Sequence, residues 1–157
     1  MTKLSRNGLT VRKLSVKDAD LFAKISNGPM MTKFLPFLKA KNVTQAEEII
    51  RKNSRYNYAM YGLFVRRVGL VSVFAVSPNL FDGADVHYFT GEKYYGNGYA
   101  TQGIEILAQL LSSKYDYFTF SIHADNVASL AVQRKLGSSE LESKCKFYRD
   151  FCYSLWP

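Results

Sequence analysis

The chain is poor in the residues from which disulfide and metal frameworks are built. Its 157 residues hold two cysteines and two histidines. Cys145 and Cys152 stand seven apart near the end with no paired histidine cluster, so neither a disulfide scaffold nor a zinc site is expected, and no metal is called for. Apolar runs stop well short of the roughly eighteen residues of a membrane span, and the Lys/Arg/Asn-containing start lacks the apolar stretch of a secretion signal. A cytoplasmic protein without membrane contact is the expectation. Internal repeats, low-complexity tracts and linkers are absent as well. With 47% hydrophobic and 22% charged residues, the whole of 1–157 reads as one globular domain with a single substantial core.

Negative charge is the minority sign. Against 13 Asp+Glu stand 21 Lys+Arg, a formal net charge of +8, which suits a polyanionic ligand or an acidic partner surface. The basic residues are scattered, at Arg51-Lys52-x-x-Arg55, Arg66-Arg67 and Arg134-Lys135, in the manner of a solvated surface. No recognition helix or zinc motif accompanies them, so nucleic acid ranks last among partners.

The most informative feature is Lys93-Tyr94-Tyr95-Gly96-Asn97-Gly98-Tyr99-Ala100-Thr101. An apolar strand candidate, Val86 to Thr90, precedes it, and Ile104, Leu107, Ala108 and Leu111 follow at the spacing of one helix face. Strand, glycine-rich turn and helix form a phosphate cradle: glycines remove the Cβ atoms that keep a ligand from the backbone, and the first helical N–H groups lack internal acceptors. Asn97 and Gly98 stand where a nucleotide-triphosphatase loop needs Lys and Ser/Thr, which excludes kinase or GTPase chemistry. Thr101 stands where a dinucleotide fingerprint needs glycine.

A second strand-to-helix passage runs from Tyr117–Ile122 into His123-Ala124-Asp125-Asn126-Val127-Ala128-Ser129 and ends at Lys135-Leu136-Gly137. Tyr-Tyr-Gly-Asn-Gly-Tyr-Ala-Thr followed about thirty residues later by Asp-Asn-Val-Ala-Ser and Lys-Leu-Gly resembles the GNAT superfamily of acetyl-CoA-dependent N-acetyltransferases, in particular its RimJ/RimL-like branch. The similarity covers nearly the whole chain, from Leu9–Leu14 through Val68–Val73 to Tyr148–Leu155. It implies an α/β (α+β) domain whose mixed, mostly antiparallel twisted sheet of about six or seven strands is flanked by about four helices.

The resemblance also assigns roles. Acetyl-CoA would rest its pyrophosphate on backbone amides of Tyr95, Gly96, Asn97, Gly98, Tyr99, Ala100 and Thr101. Lys93 takes the motif's usual Gln/Arg position, which keeps a donor and loses the fork of arginine. Pantetheine would pair with the strand at Phe89 and Thr90, where a strand N–H would serve the oxyanion, and Asn126 would bond the pantetheine arm. Ser129 is the candidate general acid; the same Asn126-x-x-Ser129 spacing also fits a helix cap. Asp85 and His87 share a strand face with Phe89, where the family commonly has Glu and Gly. They are either a carboxylate-assisted base or a structural contact. His123 is taken as structural. Ser138-Ser139 replaces the family's usual aromatic residue, and the final hairpin looks shortened.

The rest of the map is coarse. A strand spans Leu9–Leu14, and Ser15-x-x-Asp18 opens a helix that Gly28-Pro29 ends. A loop carries Phe34 to Leu38, and Thr44-x-x-Glu47 caps the next helix. Strands at Tyr58–Arg66, Leu70–Val76 and Ala84–Thr90 follow. Tyr56, Tyr58 and Tyr61, with Phe34 and Phe37, read as packing beside the acceptor region.

Three functions fit. An N-acetyltransferase would act on a small-molecule amine or a protein N-terminal amine, as a monomer or homodimer. An acyl-CoA-binding module without catalysis comes second, and a basic nucleic-acid-binding protein third. Polyamines rank low because the chain offers them little acidic surface.

Overall fold

The structure, a computed structural model, describes residues 2–55, 58–143 and 145–155. Eight strands form one sheet in the order β1-β2-β3-β4-β5-β6-β8-β7: β1 Lys3–Arg6, β2 Leu9–Lys13, β3 Ala59–Val65, β4 Gly69–Pro78, β5 Gly83–Thr90, β6 Tyr117–His123, β7 Ser139–Leu141 and β8 Tyr148–Ser154. The helices are α1 Ala19–Ile25, α2 Pro29–Phe34, α3 Val43–Lys52, α4 Tyr99–Leu111 and α5 Val127–Leu136. Among the described residues, eight strands and five helices exceed the expected six or seven and four, and the additions are short. β1 escaped notice because Lys3-Leu4-Ser5-Arg6 has a single apolar residue. It is an edge strand held by a hairpin whose turn residues, Asn7 (φ 52) and Gly8 (φ 79), both take the left-handed conformation that two-residue hairpins favour.

Two local readings need correction. The segment expected to be a loop after Gly28-Pro29 is α2 followed by a 3-10 turn at Pro36–Leu38; Gly28-Pro29 does end α1, and it also starts the next helix, with Pro29 at the first position where its missing N–H is harmless. The cap of α3 is Asn42 rather than Thr44, because the Asn42 side chain accepts the Gln45 N–H at 2.9 Å. Ser15 and Asp18 do form a capping box, opening a 3-10 turn at Val16–Asp18 that continues into α1. Tyr56 of the expected aromatic cluster lies outside the described residues, and Tyr58 is exposed.

The sheet separates two apolar clusters. One joins Phe74, Val76, Val86, Tyr88, Phe118, Phe120, Ile122 and Phe151 to Ile104, Leu107, Ala108 and Leu111 of α4 and Leu130 of α5. A Cβ at Gly103 would collide with the Phe74 ring, so glycine lets α4 lie directly on the sheet. The other cluster joins Val73, Ala75 and Phe89 to Phe22 of α1 and Ala46 and Ile50 of α3. It includes no residue of β6 or β8, so Thr119, Ser121 and His123, with Cys152, Asp150 and Tyr148 opposite them in register, form a sheet face that this second cluster does not cover. Among the described residues no helix is long and apolar enough to cross a membrane.

Candidate active site

The strands β5 and β6 run parallel, and their pairing is brief: Gly83↔Tyr117, Ala84↔Phe118 and Asp85↔Thr119. Beyond Asp85, β5 stays paired with β4 as far as Thr90, while β6 stays paired with β8 as far as His123. The sheet therefore splits down its middle. The Gly91 N–H donates to the Val71 carbonyl at 2.9 Å. Backbone groups alternate sides along an antiparallel ladder, so Phe89 and His87 also turn theirs toward β4, and Tyr88 and Thr90 present theirs to the split. A free backbone edge is thus built into the interior, where an extended chain can add as a strand.

The split opens into a cleft of about 310 Å³ bounded by β5, α2, the glycine turn and α5. Tyr95, Gly96, Gly98, Tyr99, Ala100 and Thr101 line it from the turn, Phe89 and Thr90 from β5, and Asn126 and Ser129 from α5. These are residues the sequence named, brought together from segments thirty residues apart. Asn97 and Lys93 are not in the lining. The Lys93 ammonium lies 5.6 Å from the Tyr94 ring centroid, and Lys93 borders a separate cavity with Lys24, Gly28 and Glu92. The cation that does line the cleft is Lys135 of α5, and among the described lining residues no carboxylate occurs.

Local forces explain the cradle's form. Gly96 (φ 80) and Gly98 (φ 72) are both left-handed, a conformation costly for residues bearing a Cβ, and Gly98 is the N-cap of α4. The Asn97 side-chain amide donates to the carbonyls of Tyr94 at 3.0 Å and Tyr95 at 3.4 Å. The Gln102 amide donates to those of Asn97 at 3.3 Å and Gly98 at 3.2 Å. The carbonyl oxygens of Tyr94, Tyr95, Asn97 and Gly98 are thereby occupied from within; the Tyr95 N–H is spent on the Glu92 carbonyl at 3.2 Å, and the N–H groups of Gly96 to Thr101 are the ones left for an anion. Sequence reasoning missed Gln102; its signal was an amide side chain one helical turn after a cap that has no side chain of its own.

At the start of α5 the Asn126 Oδ1 accepts the Ser129 N–H at 3.2 Å. The capping reading of this pair is thus realised, and only the amide oxygen of Asn126 is spent on it. On β5 the Tyr88 hydroxyl donates to the Ser129 carbonyl at 3.1 Å and accepts from Gln133 Nε2 at 3.2 Å. Burial, against a smaller opposing effect of those two bonds, pushes the Tyr88 phenol up to about 12.

Asp85 and His87 share a face as expected, but no hydrogen bond joins them. Asp85 is exposed and accepts from the Thr119 hydroxyl on the last β5–β6 rung. His87 is half-buried edge-on against Phe37, centroids 5.3 Å apart. Burial lowers its pKa and outweighs the opposing pull of Asp85, so the imidazole is neutral at pH 7. Neither residue lines the cleft. Across the split, the His123 ring lies 5.6 Å from Phe34, which does line it, and 5.5 Å from Tyr148. His123 Nδ1 accepts the Asp125 N–H at 3.1 Å, which fits its structural assignment. Cys145 is exposed, Cys152 is half-buried, and both are free thiols.

A family model describing an acetyltransferase (GNAT) domain matches residues 8–139. The chain belongs to the GNAT acetyltransferases. GNAT proteins of known structure share its fold across nearly the whole length. RimL, the ribosomal L7/L12 α-N-protein acetyltransferase in complex with coenzyme A, is 15% identical, with a TM-score of 0.82 and 95% of each chain covered. The ribosomal-protein-S5-alanine acetyltransferase from Vibrio fischeri is 11% identical, with a TM-score of 0.75 over 99% of this chain and 98% of its own. A chimera of the spermidine N-acetyltransferase from Vibrio cholerae is 11% identical, with a TM-score of 0.75 over 95% and 96%. No curated relative matches the sequence. These likenesses support the GNAT fold expected from the glycine turn and Asp-Asn-Val-Ala-Ser.

Proposed function

We propose that this GNAT protein moves the acetyl group of acetyl-CoA to a primary amine, borne by a small molecule or a protein N-terminus, by direct attack within a ternary complex. The observation that carries the reading is the continuity of the cleft. The free β5 edge at Tyr88 and Thr90 leads without interruption into the N–H cradle of residues 96–101. A pantetheine arm suits the first and a pyrophosphate the second. Lys135 adds a positive charge beside the phosphates, and the unspent Nδ2 of Asn126 is available to the arm's carbonyls.

The chemistry follows from these placements. A neutral amine forms a bond to the thioester carbon, the carbon–sulfur bond breaks, one proton leaves the amine and another reaches the departing thiolate. The Tyr88 or Thr90 N–H, rather than that of Phe89, is the strand donor suited to the oxyanion. Ser129 is the candidate donor toward the thiolate. His87, neutral and half-buried with Asp85 two residues away, is the candidate acceptor of the ammonium proton through water. The amine would approach over the open face bearing Thr119, Ser121 and Asp150.

A second reading, acyl-CoA binding without catalysis, is favoured by one observation: Asp85 and His87 stand outside the cleft lining. Release of free thiol from acetyl-CoA, followed over a panel of small amines and short peptides with free N-termini, separates the two. Acceptor-dependent release is the expected result. Saturable binding with no release for any amine would leave the binding module.

A further inference from the structure

Beyond the last β5–β6 rung no sheet hydrogen bond ties β5 to the β6–α5 segment. A side-chain relay does so instead. Gln133 Nε2 donates to the Tyr88 oxygen, which forces the phenolic hydrogen elsewhere, and it points at the Ser129 carbonyl. With the Ser129 N–H already held by Asn126, the backbone of Ser129 is fixed on both sides and its hydroxyl and the Asn126 amide are set against the split. The Tyr88 ring is locked in turn, 8% exposed and edge-on to Phe120 at 5.7 Å.

Gln133 makes a role beyond packing the better account. It is completely buried, and its Oε1 has no partner among the described residues. A leucine would fill much the same space without burying an unpaired acceptor, so packing alone does not favour an amide here. What the amide supplies is a direction for the Tyr88 hydroxyl. Because that hydroxyl is committed to a carbonyl and its ionisation is suppressed, Tyr88 is ill suited to deliver a proton itself.

We propose that Tyr88 and Gln133 are positioning residues that hold the first turn of α5, with Asn126 and Ser129, at the height the thioester requires; this rests on the acetyltransferase reading above. The test compares the wild-type protein with Tyr88→Phe, Gln133→Leu and the double variant. Thermal melting, kcat for acetyl transfer, and affinity for CoA and for 3′,5′-ADP, which reaches only the phosphate end, are measured for each.

Gln133→Leu is expected to melt no lower than wild type yet lose about tenfold in kcat. Tyr88→Phe should lose a similar factor, and the double variant should be no worse than either single one, as members of one relay behave. CoA should weaken severalfold relative to 3′,5′-ADP, whose own affinity stays within about twofold. An unchanged kcat together with an unchanged CoA to 3′,5′-ADP ratio in Gln133→Leu would overturn the proposal, as would additive losses. If the wild type turns over no amine while the affinity ratio still falls, the relay stands and the acetyltransferase reading fails.

Discussion

Asp85 and Thr119 face each other on the last rung that joins β5 to β6, and their side chains are hydrogen-bonded. One residue further the strands part and the cleft begins. That placement sets the pair at the root of the split, and the Asp85 carboxylate takes its hydrogen bond from Thr119 rather than from His87.

Gly98 carries the cradle. Gly98→Val would force a β-branched residue into a left-handed backbone (φ 72) and crowd the Gln102 amide with a Cβ 3.3 Å from its Nε2. CoA affinity should fall by at least about tenfold with the fold retained by circular dichroism. Undiminished affinity would remove the phosphate site from this turn.

Lys135 and Lys93 should behave oppositely. Lys135→Met, which loses the cation in the cleft, should weaken CoA about three- to fivefold, an effect shrinking at high salt, as expected for about 0.7–1 kcal/mol of partly screened attraction. Lys93→Met should change little, since Lys93 faces the neighbouring cavity. Titration at two salt concentrations checks both; the reverse ranking would restore the motif's usual assignment.

As the proposed base, His87 would tie activity to pH. Burial lowers its pKa below the ordinary 6.5, so a base at this position keeps its lone pair at neutral pH and the acidic limb of kcat/KM falls below 6.5. His87→Ala should lower turnover about tenfold or more and remove that limb, with CoA affinity little changed. An unchanged profile would make His87 a packing residue against Phe37. The unfolded chain protonates this histidine more readily than the folded one, so the variant should also lose part of the destabilisation seen on acidifying below about 6.5.

Much of this site was legible from two short segments. The glycine turn and Asp-Asn-Val-Ala-Ser located the cleft because left-handed glycines and an asparagine cap leave local signatures. Gln102 left only a faint one, an amide one turn after a glycine cap, and Tyr88 and Gln133 left none, since their partners are fixed only when α5 docks on the sheet. The same holds for α2, whose six residues are too few to express a helical period. The proximity of Asp85 and His87 was correctly read from strand alternation, but the cross-strand claim of Thr119 on Asp85 depends on β5–β6 register, which sequence spacing does not reveal.

Asp18 anchors the entry to α1 on β2. Its carboxylate accepts from Arg12 at 2.8 and 3.0 Å and from the Ser15 N–H at 2.9 Å. Burial alone would raise its pKa, and these bonds together overcome that and lower it below the ordinary 3.8. The stabilisation is therefore present above about pH 4 and lost as pH falls through the lowered folded-state value. Asp18→Asn should cost about 2 kcal/mol at pH 7 and much less near pH 2, measurable by urea unfolding at the two pH values. An equal cost at both would assign the effect to packing.

The central claim is that the split between β5 and β6, with the turn at residues 95–101, is an acetyl-CoA site. Calorimetric titration of the protein with acetyl-CoA at moderate salt, with ATP as a polyanion control, tests it most directly. Saturable binding at about 100 μM or tighter, selective over ATP and lost in Gly98→Val, is the predicted result. Absent binding, or binding no better than that of ATP, would contradict it.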